Sequence, residues 1–481
     1  MENGGTYIYG QAIENFSILN NSLLSENDIE NFIAELSDII GSPLSVAEKE
    51  ETDGKYIVVD GTELVAGDYS IKTEYDKITV KGSFLTLPVA MNKFISIVRS
   101  HRNITKVDNF EYHAPRKEMF TKEQIKKLLA DVYYSDRIII GEEIQGRESE
   151  CIEKRMERFY DATGVYPAIM GIDLASYGIW LTENSDAVWS RHICDIVKHC
   201  EAGGILTASA HFDNPSGFSP NGDWEAPRGT LGAARTKEEL EAAFEELLTE
   251  GTEYNKKWKN ELDTDARFLC ILREQGIPVL WRPLHESNGS WFWFCTVQNG
   301  IILEASYLRR MWIYIYEYFT QKYKLDNLIW VFSPNVSPNV NDEVYWEMSP
   351  WYCYPGDKYV DIVGVDWYTH GDLEIAENDC YGELVKRTCK IGAITEIGPG
   401  GGKKASAGQK QSELYNCMDL YEDLQRLRGK GYHFSYFLTW GACWGIVAMG
   451  EGKNFMKTGM PMSREELKKY LMTINKKGVN Q

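Results

Sequence analysis

Two glutamates have neighbours that could divide the work of a proton donor and a nucleophile between them. Glu286 ends the segment PVLWRPLHE, and Glu396 lies much further along the chain in the segment IGAITEIG. Two carboxyl groups that face each other across a neutral ligand can hydrolyse a glycosidic bond, because one donates a proton and the other attacks the anomeric carbon. The sequence therefore predicts an acid and a nucleophile that only the fold can bring together.

The neighbours of the two glutamates differ as this division of roles requires. Glu286 precedes the aromatic run SNGSWFWF, which predicts partial desolvation and a raised pKa for its carboxyl group. Glu396 precedes a glycine-rich segment where a sugar could approach, and Arg282 and Tyr368 are candidates to hold it ionised. Paired catalytic carboxyl groups need such different surroundings, because one must keep its proton while the other loses it.

Other catalytic chemistries lack their sequence signatures. His285 and Glu286 begin like the zinc-protease motif HExxH, but Gly289 stands where its second histidine would be. The chain has no GxSxG nucleophile elbow, no CxxC pair and no glycine-rich phosphate loop after a strand. His192 and His199 lie in a predicted helix without a carboxylate motif and are interpreted as surface or core histidines. We therefore predict no resident metal and no cofactor.

Eight short apolar runs that alternate with helical segments must position these side chains. The predicted strands are residues 137–141, 167–173, 205–212, 278–286, 327–335, 360–368, 391–398 and 434–441. Apolar strands alternating with helices indicate a parallel sheet that is buried on both faces. Eight of them favour a (β/α)8 TIM barrel over the competing doubly wound open sheet.

The strand ends support the barrel. Strand after strand finishes on a polar or aromatic side chain, and the set is Asp173, His211, His285, Glu286, Asn335, Asp366, Tyr368, Glu396 and Trp440. In a barrel the carboxyl ends of all strands meet on one face, where active sites are built. The recurrence of these residues predicts that the site lies on that face.

The N-terminal part of the chain reads as a separate domain. We predict a small non-catalytic α+β domain over residues 1–115 and the barrel over residues 116–481. In the small domain, a helix over Glu26–Ile40 is predicted with Ser25 as N-cap, and the pattern around Tyr75 and Asp76 predicts a hairpin. A second helix is predicted near Leu87–Val98.

Composition and charge narrow the possible partners. The formal net charge is −20, which repels nucleic-acid phosphates and anionic lipid. Aromatic residues make up 12% of the chain and suit a stacking surface for a neutral polysaccharide or oligosaccharide. We expect no nucleic-acid partner and no membrane partner. The residues MENGGTYIYG lack a signal-peptide pattern, and the location stays open between secreted, if a leader was trimmed, and cytoplasmic.

Five segments, in order, give the region from Asp131 to Gly445 a family resemblance. They are SAHFDNP, WRPLHESNGSWFWF, WVFSPN, WYCYPGDKYVDIVGVDWY and AITEIG. The region resembles glycoside hydrolase family 26, whose best-known members are endo-β-1,4-mannanases. The resemblance implies a retaining mechanism, with Glu286 as acid/base and Glu396 as nucleophile. It also implies a substrate-binding role for His211, Arg282, His285, Trp291, Tyr368 and Trp440.

The small domain has a looser resemblance of its own. Its pattern around GDYSIKTEYDKITVKG and the following helix resembles the non-catalytic domain that precedes the barrel in family 20 hexosaminidases and family 67 glucuronidases. Among other aromatic residues, Trp330 is predicted to pack in the interior, whereas Phe292 and Trp293 could lie in the core or the cleft. Trp224 could reach a distal sugar, although packing is the favoured interpretation.

Two other functions stay open at the level of sequence. The same scaffold resembles family members that cut β-1,3-xylan or mixed-linkage β-glucan, and the loops that set sugar preference cannot be placed from sequence. A degenerate barrel that binds carbohydrate without cleaving it is the second alternative, although the chain retains both glutamates. Endo or exo action and oligomeric state also stay open.

Overall fold

The structure is a computed structural model of the chain. It describes residues 7–8, 11–22, 24–61, 69–74, 76–82, 86–100, 103–104, 119–144, 152–174, 186–217, 228–335, 349–369, 380–399, 420–440, 445–446 and 452–478. The chain divides into two compact units, one of residues 1–117 with 267–276 and one of residues 118–266 with 277–481. The predicted boundary after residue 115 stays a prediction.

The first unit contains a five-stranded sheet and two helices. In chain order its elements are β1 (Tyr7–Ile8), β2 (Gln11–Ala12), β3 (Ser17–Asn21), α1 (Glu26–Ile40), β4 (Ser45–Ala47), β5 (Tyr56–Asp60), β6 (Tyr69–Thr73), β7 (Lys77–Gly82), α2 (Thr86–Ser100) and β8 (Asn103–Ile104). The main sheet has the order β4-β3-β5-β7-β6, and only the β6–β7 pair is antiparallel. A second small sheet has the order β2-β1-β8.

Local sequence accounts for the elements that were predicted in this unit. Helix α1 begins where Ser25 and Asp28 form a capping box, and it buries Ile29, Phe32 and Leu36 against the sheet's apolar core. The predicted N-cap, the helix near Leu87–Val98 and the β6–β7 hairpin are confirmed. Strands β3 and β4 were not predicted.

The second unit is a closed barrel of eight parallel strands. They are β9 (Ile138–Glu143), β10 (Ile169–Asp173), β11 (Ile205–Ser209), β12 (Val279–Arg282), β15 (Leu328–Phe332), β16 (Ile362–Thr369), β17 (Ile391–Pro399) and β18 (Tyr436–Trp440). Each strand pairs with the next, and β18 and β10 both pair with β9, which closes the barrel. The short strand β19 (Pro461–Met462) adds to β9, and β13 (Val297–Gln298) and β14 (Ile301–Ile302) form a hairpin after β12. The predicted TIM barrel is confirmed.

Helices occupy most of the connections between these strands. They are α3 (Lys122–Tyr133), α4 (Ile152–Thr163), α5 (Asp186–Glu201), α6 (Lys237–Leu248), α7 (Glu253–Glu274), α8 (Ala305–Glu317), α9 (Cys380–Thr388), α10 (Leu420–Gly429), α11 (Gly452–Phe455) and α12 (Arg464–Gly478). Interior-facing residues such as Ile139, Leu280 and Ile329 pack with Leu128 of α3 in one buried cluster. This cluster leaves the carboxyl ends of the strands for polar side chains.

The fourth barrel strand is shorter than predicted. The sequence predicted a strand over residues 278–286, but β12 ends at Arg282 and the chain turns. Pro283 lacks the N–H that would continue a ladder, and Leu284 and Glu286 have φ values of 51° and 54°, which no strand tolerates. The acid/base candidate therefore lies on a tight turn beyond the strand.

No helix among the described residues is long and apolar enough to cross a lipid bilayer. The described histidines of α5, His192 and His199, are both buried, which fits the core interpretation of these residues. Trp330 is buried among Trp312, Tyr316 and Phe319, so its prediction as a packing residue is confirmed.

Candidate active site

The turn after β12 places Glu286 at the carboxyl end of the barrel. The backbone N–H of Glu286 donates to the carbonyl oxygen of Ser333 at 2.7 Å, which ties the turn to the end of β15. The N–H of Gly289 donates to the Glu286 carbonyl at 2.8 Å and closes the turn. Positive φ at a residue other than glycine costs energy and persists only where its surroundings hold it.

The carboxyl group of Glu286 is buried and accepts from two neutral donors. Trp291 Nε1 donates to Oε2 at 2.7 Å, and Asn335 Nδ2 donates to Oε1 at 3.1 Å. Burial, followed by the negative charge of Glu396, raises the pKa of Glu286 to about 7. The two donors favour the ionised form but do not outweigh burial. Glu286 can therefore hold a proton near neutral pH.

Glu396 has charged and polar partners on both carboxylate oxygens. Arg282 Nη2 donates to Oε1 at 2.9 Å, and the Tyr368 hydroxyl donates to Oε2 at 2.8 Å. Burial alone would lower the pKa of Arg282, but the carboxylates of Glu396 and Asp366 hold that pKa above its usual value. Burial, then Glu396, raises the pKa of Tyr368 well above its usual value, so the phenol stays a donor.

Asp366 is a third carboxyl group beside the pair. It is fully buried, accepts from the Ser333 hydroxyl at 2.6 Å and lies 3.6 Å from Arg282 Nη1. Burial, followed by the charge of Glu396, raises the pKa of Asp366 well above its usual value. Of the two carboxyl groups, Glu396 is the nearer to the Arg282 guanidinium, at 2.9 Å.

The three carboxyl groups lie close together. One carboxylate oxygen from each of Glu286, Asp366 and Glu396 is within 4.8 Å of the others. Carboxyl groups about 5–5.5 Å apart suit a covalent glycosyl intermediate, whereas inverting enzymes separate theirs by about 6.5–9.5 Å to admit a water. Such a set could also hold a divalent cation, but its oxygens accept from Arg282, Tyr368 and other donors. The absence of a resident metal stays a prediction.

Two histidines stand next to the glutamates. His211 follows β11, and its Nε2 lies 3.1 Å from the Nε2 of His285. The other ring nitrogen of His211, Nδ1, lies 2.5 Å from Asp173 Oδ2. Both ring nitrogens of His211 thus have protein partners. Burial is the main cause that lowers the pKa of His285 well below its usual value, and the nearby His211 and Arg282 add to it.

Aromatic rings surround the histidines. The Trp440 ring is partly exposed and meets His211 edge to face, with the centroids 5.9 Å apart. Phe292 is buried and packs against both histidines, with centroids 5.0 and 5.6 Å away. Trp293 is fully buried and donates its Nε1 to the Phe212 carbonyl, so it belongs to the core. Trp224 lies outside the described residues.

The structure therefore brings all the predicted site residues to one face of the barrel. Contacts connect Glu286 with Trp291, Glu396 with Arg282 and Tyr368, and His211 with His285 and Trp440. Their roles in binding and catalysis stay predictions.

Sequence reasoning left several residues of this face without a role. Asn335, Asp366 and Asp173 were noted only as strand ends, and Ser333 was not considered. Glu142 and Glu143 were missed entirely, although the run IIIGEE places two carboxyl groups directly at a strand end. Both are buried, and burial raises the pKa of Glu142 to about 8. The polar end of that run was the signal that could have found them.

Comparison with known proteins adds an independent observation. A family model described as "Glycosyl hydrolase family 26" matches residues 114–419. A mannan endo-1,4-beta-mannosidase A and B of Caldalkalibacillus mannanilyticus is 32% identical over 288 residues, which are 59% of this chain and 49% of that protein. A mannan endo-1,4-beta-mannosidase of Bacillus subtilis strain 168 is 31% identical over 290 residues, 60% of this chain and 70% of that protein. The chain spans about half the length of the first of these relatives.

Solved structures with the same barrel are also similar. A Bacillus subtilis mannanase superposes with a TM-score of 0.53 at 25% identity, covering 73% of this chain and 94% of that one. The catalytic domain of an endo-beta-1,4-mannanase from Bacillus sp. JAMB-750 has a TM-score of 0.53 at 21% identity, covering 73% and 97%. At that identity the second likeness concerns the fold alone.

Proposed function

This chain belongs to glycosyl hydrolase family 26, and from that premise we propose that it cleaves β-1,4-mannan or manno-oligosaccharides by a retaining double displacement. Glu286 is the acid/base and Glu396 the nucleophile. The observation that carries this proposal is the approach of the two carboxyl groups to within 4.8 Å in surroundings of opposite character. That approach favours the short separation of retaining enzymes over the about 6.5–9.5 Å that inverting enzymes use to admit a water.

In the first step, Glu396 attacks the anomeric carbon while Glu286 gives its proton to the departing glycosidic oxygen. The bond to the leaving sugar breaks as the ester to Glu396 forms. In the second step, Glu286 takes a proton from water, which attacks the anomeric carbon and releases Glu396 as a carboxylate. Glu286 ends the cycle protonated, so one side chain serves as acid and then as base.

The partners of Glu396 support its role as nucleophile. Arg282 and Tyr368 each donate to one carboxylate oxygen, which stabilises the negative charge and orients the group before attack. Arg282 also lies near Asp366, which helps to keep its guanidinium in place while charge leaves the Glu396 carboxylate. We propose that the two donors return Glu396 to its starting geometry after each turnover.

The remaining predicted residues are proposed to bind the sugar. Trp440 supplies a flat apolar ring beside the histidines, which suits the C–H face of a pyranose. His211, His285 and Trp291 line the side of the site that holds Glu286. The indole of Trp291 also donates to Glu286, so it acts on the acid as well as on the substrate.

The substrate class is proposed from the relatives, both of which are described as mannan endo-1,4-beta-mannosidases. The test is to incubate the protein with β-1,4-mannan, mannobiose, β-1,3-xylan and lichenan. Turnover of mannan with the anomeric configuration retained in the first product supports the proposal. Turnover of xylan or lichenan alone would replace the substrate. Binding without cleavage, equal in wild type and Glu396→Ala, would indicate a carbohydrate-binding protein instead.

We further propose that residues 1–115 form a non-catalytic domain similar to the one that precedes the barrel in family 20 and family 67 glycosidases. Its mostly parallel five-stranded sheet, with an antiparallel hairpin and two helices, supports this proposal. The test is to express residues 116–481 alone. Unchanged kcat on short manno-oligosaccharides supports a non-catalytic role, and loss of kcat in a folded barrel would contradict it.

A further inference from the structure

We propose that Asp173 is a positioning residue, one end of a hydrogen-bonded chain through His211 and His285 that holds the turn carrying Glu286. This inference rests on the proposed function, because it concerns how the acid/base is held. The three residues of this hydrogen-bonded chain come from three neighbouring strands: Asp173 ends β10, His211 follows β11, and His285 follows β12. Neither the family match nor the relatives' names assign Asp173 a role.

Asp173 is buried and holds His211 from two directions. Its Oδ2 accepts from the Ser209 hydroxyl at 2.8 Å and lies 2.5 Å from His211 Nδ1. Its Oδ1 accepts from the backbone N–H of His211 at 3.3 Å. One carboxylate therefore fixes the main chain and the ring of the same histidine, so its ring has little freedom to rotate.

The hydrogen-bond geometry also assigns the hydrogens along the chain. A carboxylate only accepts, so Nδ1 of His211 carries the hydrogen that faces Asp173. In the uncharged pair, the hydrogen between the two Nε2 atoms then belongs to His285, which donates to His211 across 3.1 Å. Asp173 thereby sets the tautomer of His211 directly and that of His285 through it.

Asp173 lies among other acidic groups. Burial, then Asp213, raises the pKa of Glu261 well above its usual value, and burial, then Glu261, does the same for Asp265. Asp173 adds to both shifts.

At its His285 end, the hydrogen-bonded chain reaches a strained turn. Leu284 and Glu286, on either side of His285, both have positive φ. Such a backbone needs contacts that hold it, and His285 contributes its bond to His211 and its packing against Phe292 and Phe294. Another contact that holds the turn is the bond from the Glu286 N–H to the Ser333 carbonyl oxygen. Loss of Asp173 weakens the hold of His211 on His285, whereas the bond from Glu286 to Ser333 stays.

A loosened turn has a predictable effect on the acid. Burial is the largest cause of the raised pKa of Glu286, with the charge of Glu396 second. A turn that moves lets water reach the carboxyl group, and the pKa then falls toward its ordinary value. Proton donation becomes weaker, while the attack by Glu396 is unaffected.

The experiment compares Asp173→Asn with wild type on two substrates across pH. On mannan, whose leaving oxygen needs a proton, kcat/KM should fall roughly 10- to 100-fold, because a positioned general acid contributes about 10²–10⁴. The alkaline limb of kcat/KM, which reports the acid of the free enzyme, should move to lower pH. On an aryl β-mannoside with a dinitrophenolate leaving group, which departs without a proton, kcat/KM should fall clearly less than on mannan.

Further variants separate positioning from folding. Asp423→Asn is the matched control, because Asp423 is a buried carboxylate paired with Arg426 on helix α10. It should leave the alkaline limb in place. Asp173→Glu, which keeps the charge, should restore the limb toward wild type. Ser209→Ala removes one donor to Asp173 and should move the alkaline limb to lower pH by less than Asp173→Asn does. If Asp173→Asn does not fold, the Ser209→Ala result tests the inference.

Two results would overturn the inference. One is an unchanged alkaline limb in both Asp173→Asn and Ser209→Ala, and the other is an equal loss on the mannan and aryl substrates. Wild-type turnover of both substrates, measured first, tests the proposed function separately. A wild type that cleaves neither would refute that function, whereas the ratio between substrates concerns Asp173 alone.

Discussion

The turn after β12 and the strand β17 each place a glutamate on the same face of the barrel, but the two glutamates differ in backbone conformation and in hydrogen-bond donors. Glu286 sits on strained backbone, accepts from one indole and one amide, and has no ion pair with a cation among the residues that the structure describes. Glu396 sits within strand β17, accepts from a guanidinium and a phenol, and is 3% exposed. Both are buried, so burial does not separate them.

The difference lies in the donors that burial brings with it. Glu396 has a cation within hydrogen-bond distance, whereas Glu286 has two neutral donors that do not outweigh its burial. The result is one carboxyl group that can keep a proton near neutral pH and one that is paired with a guanidinium. Identical side chains thus acquire distinct chemistry from two or three neighbours, and each neighbour can be tested.

The largest expected effect is the loss of Glu396. Glu396→Ala should lower kcat on mannan roughly 10⁵-fold or more, the order found when the nucleophile of a covalent mechanism is removed. Azide supplied in solution should restore turnover of a dinitrophenyl β-mannoside and give a glycosyl azide of inverted configuration, as product analysis by NMR would reveal. A retained azide product would assign the nucleophile to another residue.

Loss of Glu286 should be milder and of a different kind. Glu286→Ala should lower kcat/KM on mannan by about 10²–10⁴, the usual contribution of a general acid, and leave kcat/KM on the dinitrophenyl substrate much less affected. Azide should again increase turnover, this time with retained configuration, because Glu396 still forms the intermediate. If both alanine variants gave the same azide product, the two glutamates would not have separate roles.

Breaking the buried ion pair between Arg282 and Glu396 tests how much this pair contributes to the free energy of unfolding. Arg282→Met leaves Glu396 and Asp366 buried without their cation and should lower the free energy of unfolding by about 3–5 kcal/mol. The control is Arg310→Met, which breaks an exposed pair with Glu245 and should cost about 1 kcal/mol or less. Urea unfolding measures both. Equal losses would mean that burial adds nothing to the Arg282 pair.

The smallest expected effect concerns the Glu286 side. Trp291→Phe removes a donor that favours ionised Glu286 but keeps most of the aromatic bulk. The pKa of Glu286 should rise, so the alkaline limb of kcat/KM should move up by about one pH unit, given about 1.5–3 kcal/mol for a hydrogen bond to a charged group and about 1.4 kcal/mol per unit. A shift to lower pH would show that Trp291 acts mainly by excluding water.

Much of the fold was predictable because its signals are local. The N-cap at Ser25, the hairpin at β6–β7 and the helix near Leu87–Val98 each depend on a few consecutive residues, and the structure has them at the predicted places. The eight apolar runs likewise needed only their own sequence and their alternation with helices. The end of β12 was predicted wrongly, because the run PVLWRPLHE was interpreted as one strand through Pro283, beyond which the backbone turns.

The sequence by itself determined which residue types stand at the strand ends and hence that two glutamates, an arginine and aromatic rings could meet. Only the tertiary structure decided which donor reaches which carboxyl group. The bond from Arg282 to Glu396, the contact of Arg282 with Asp366 and the hydrogen bonds from Asp173 through His211 to His285 all join residues from different strands. Closure of the barrel brings these strands into register, and hydrogen bonds act over about 3 Å, a distance that no local pattern specifies.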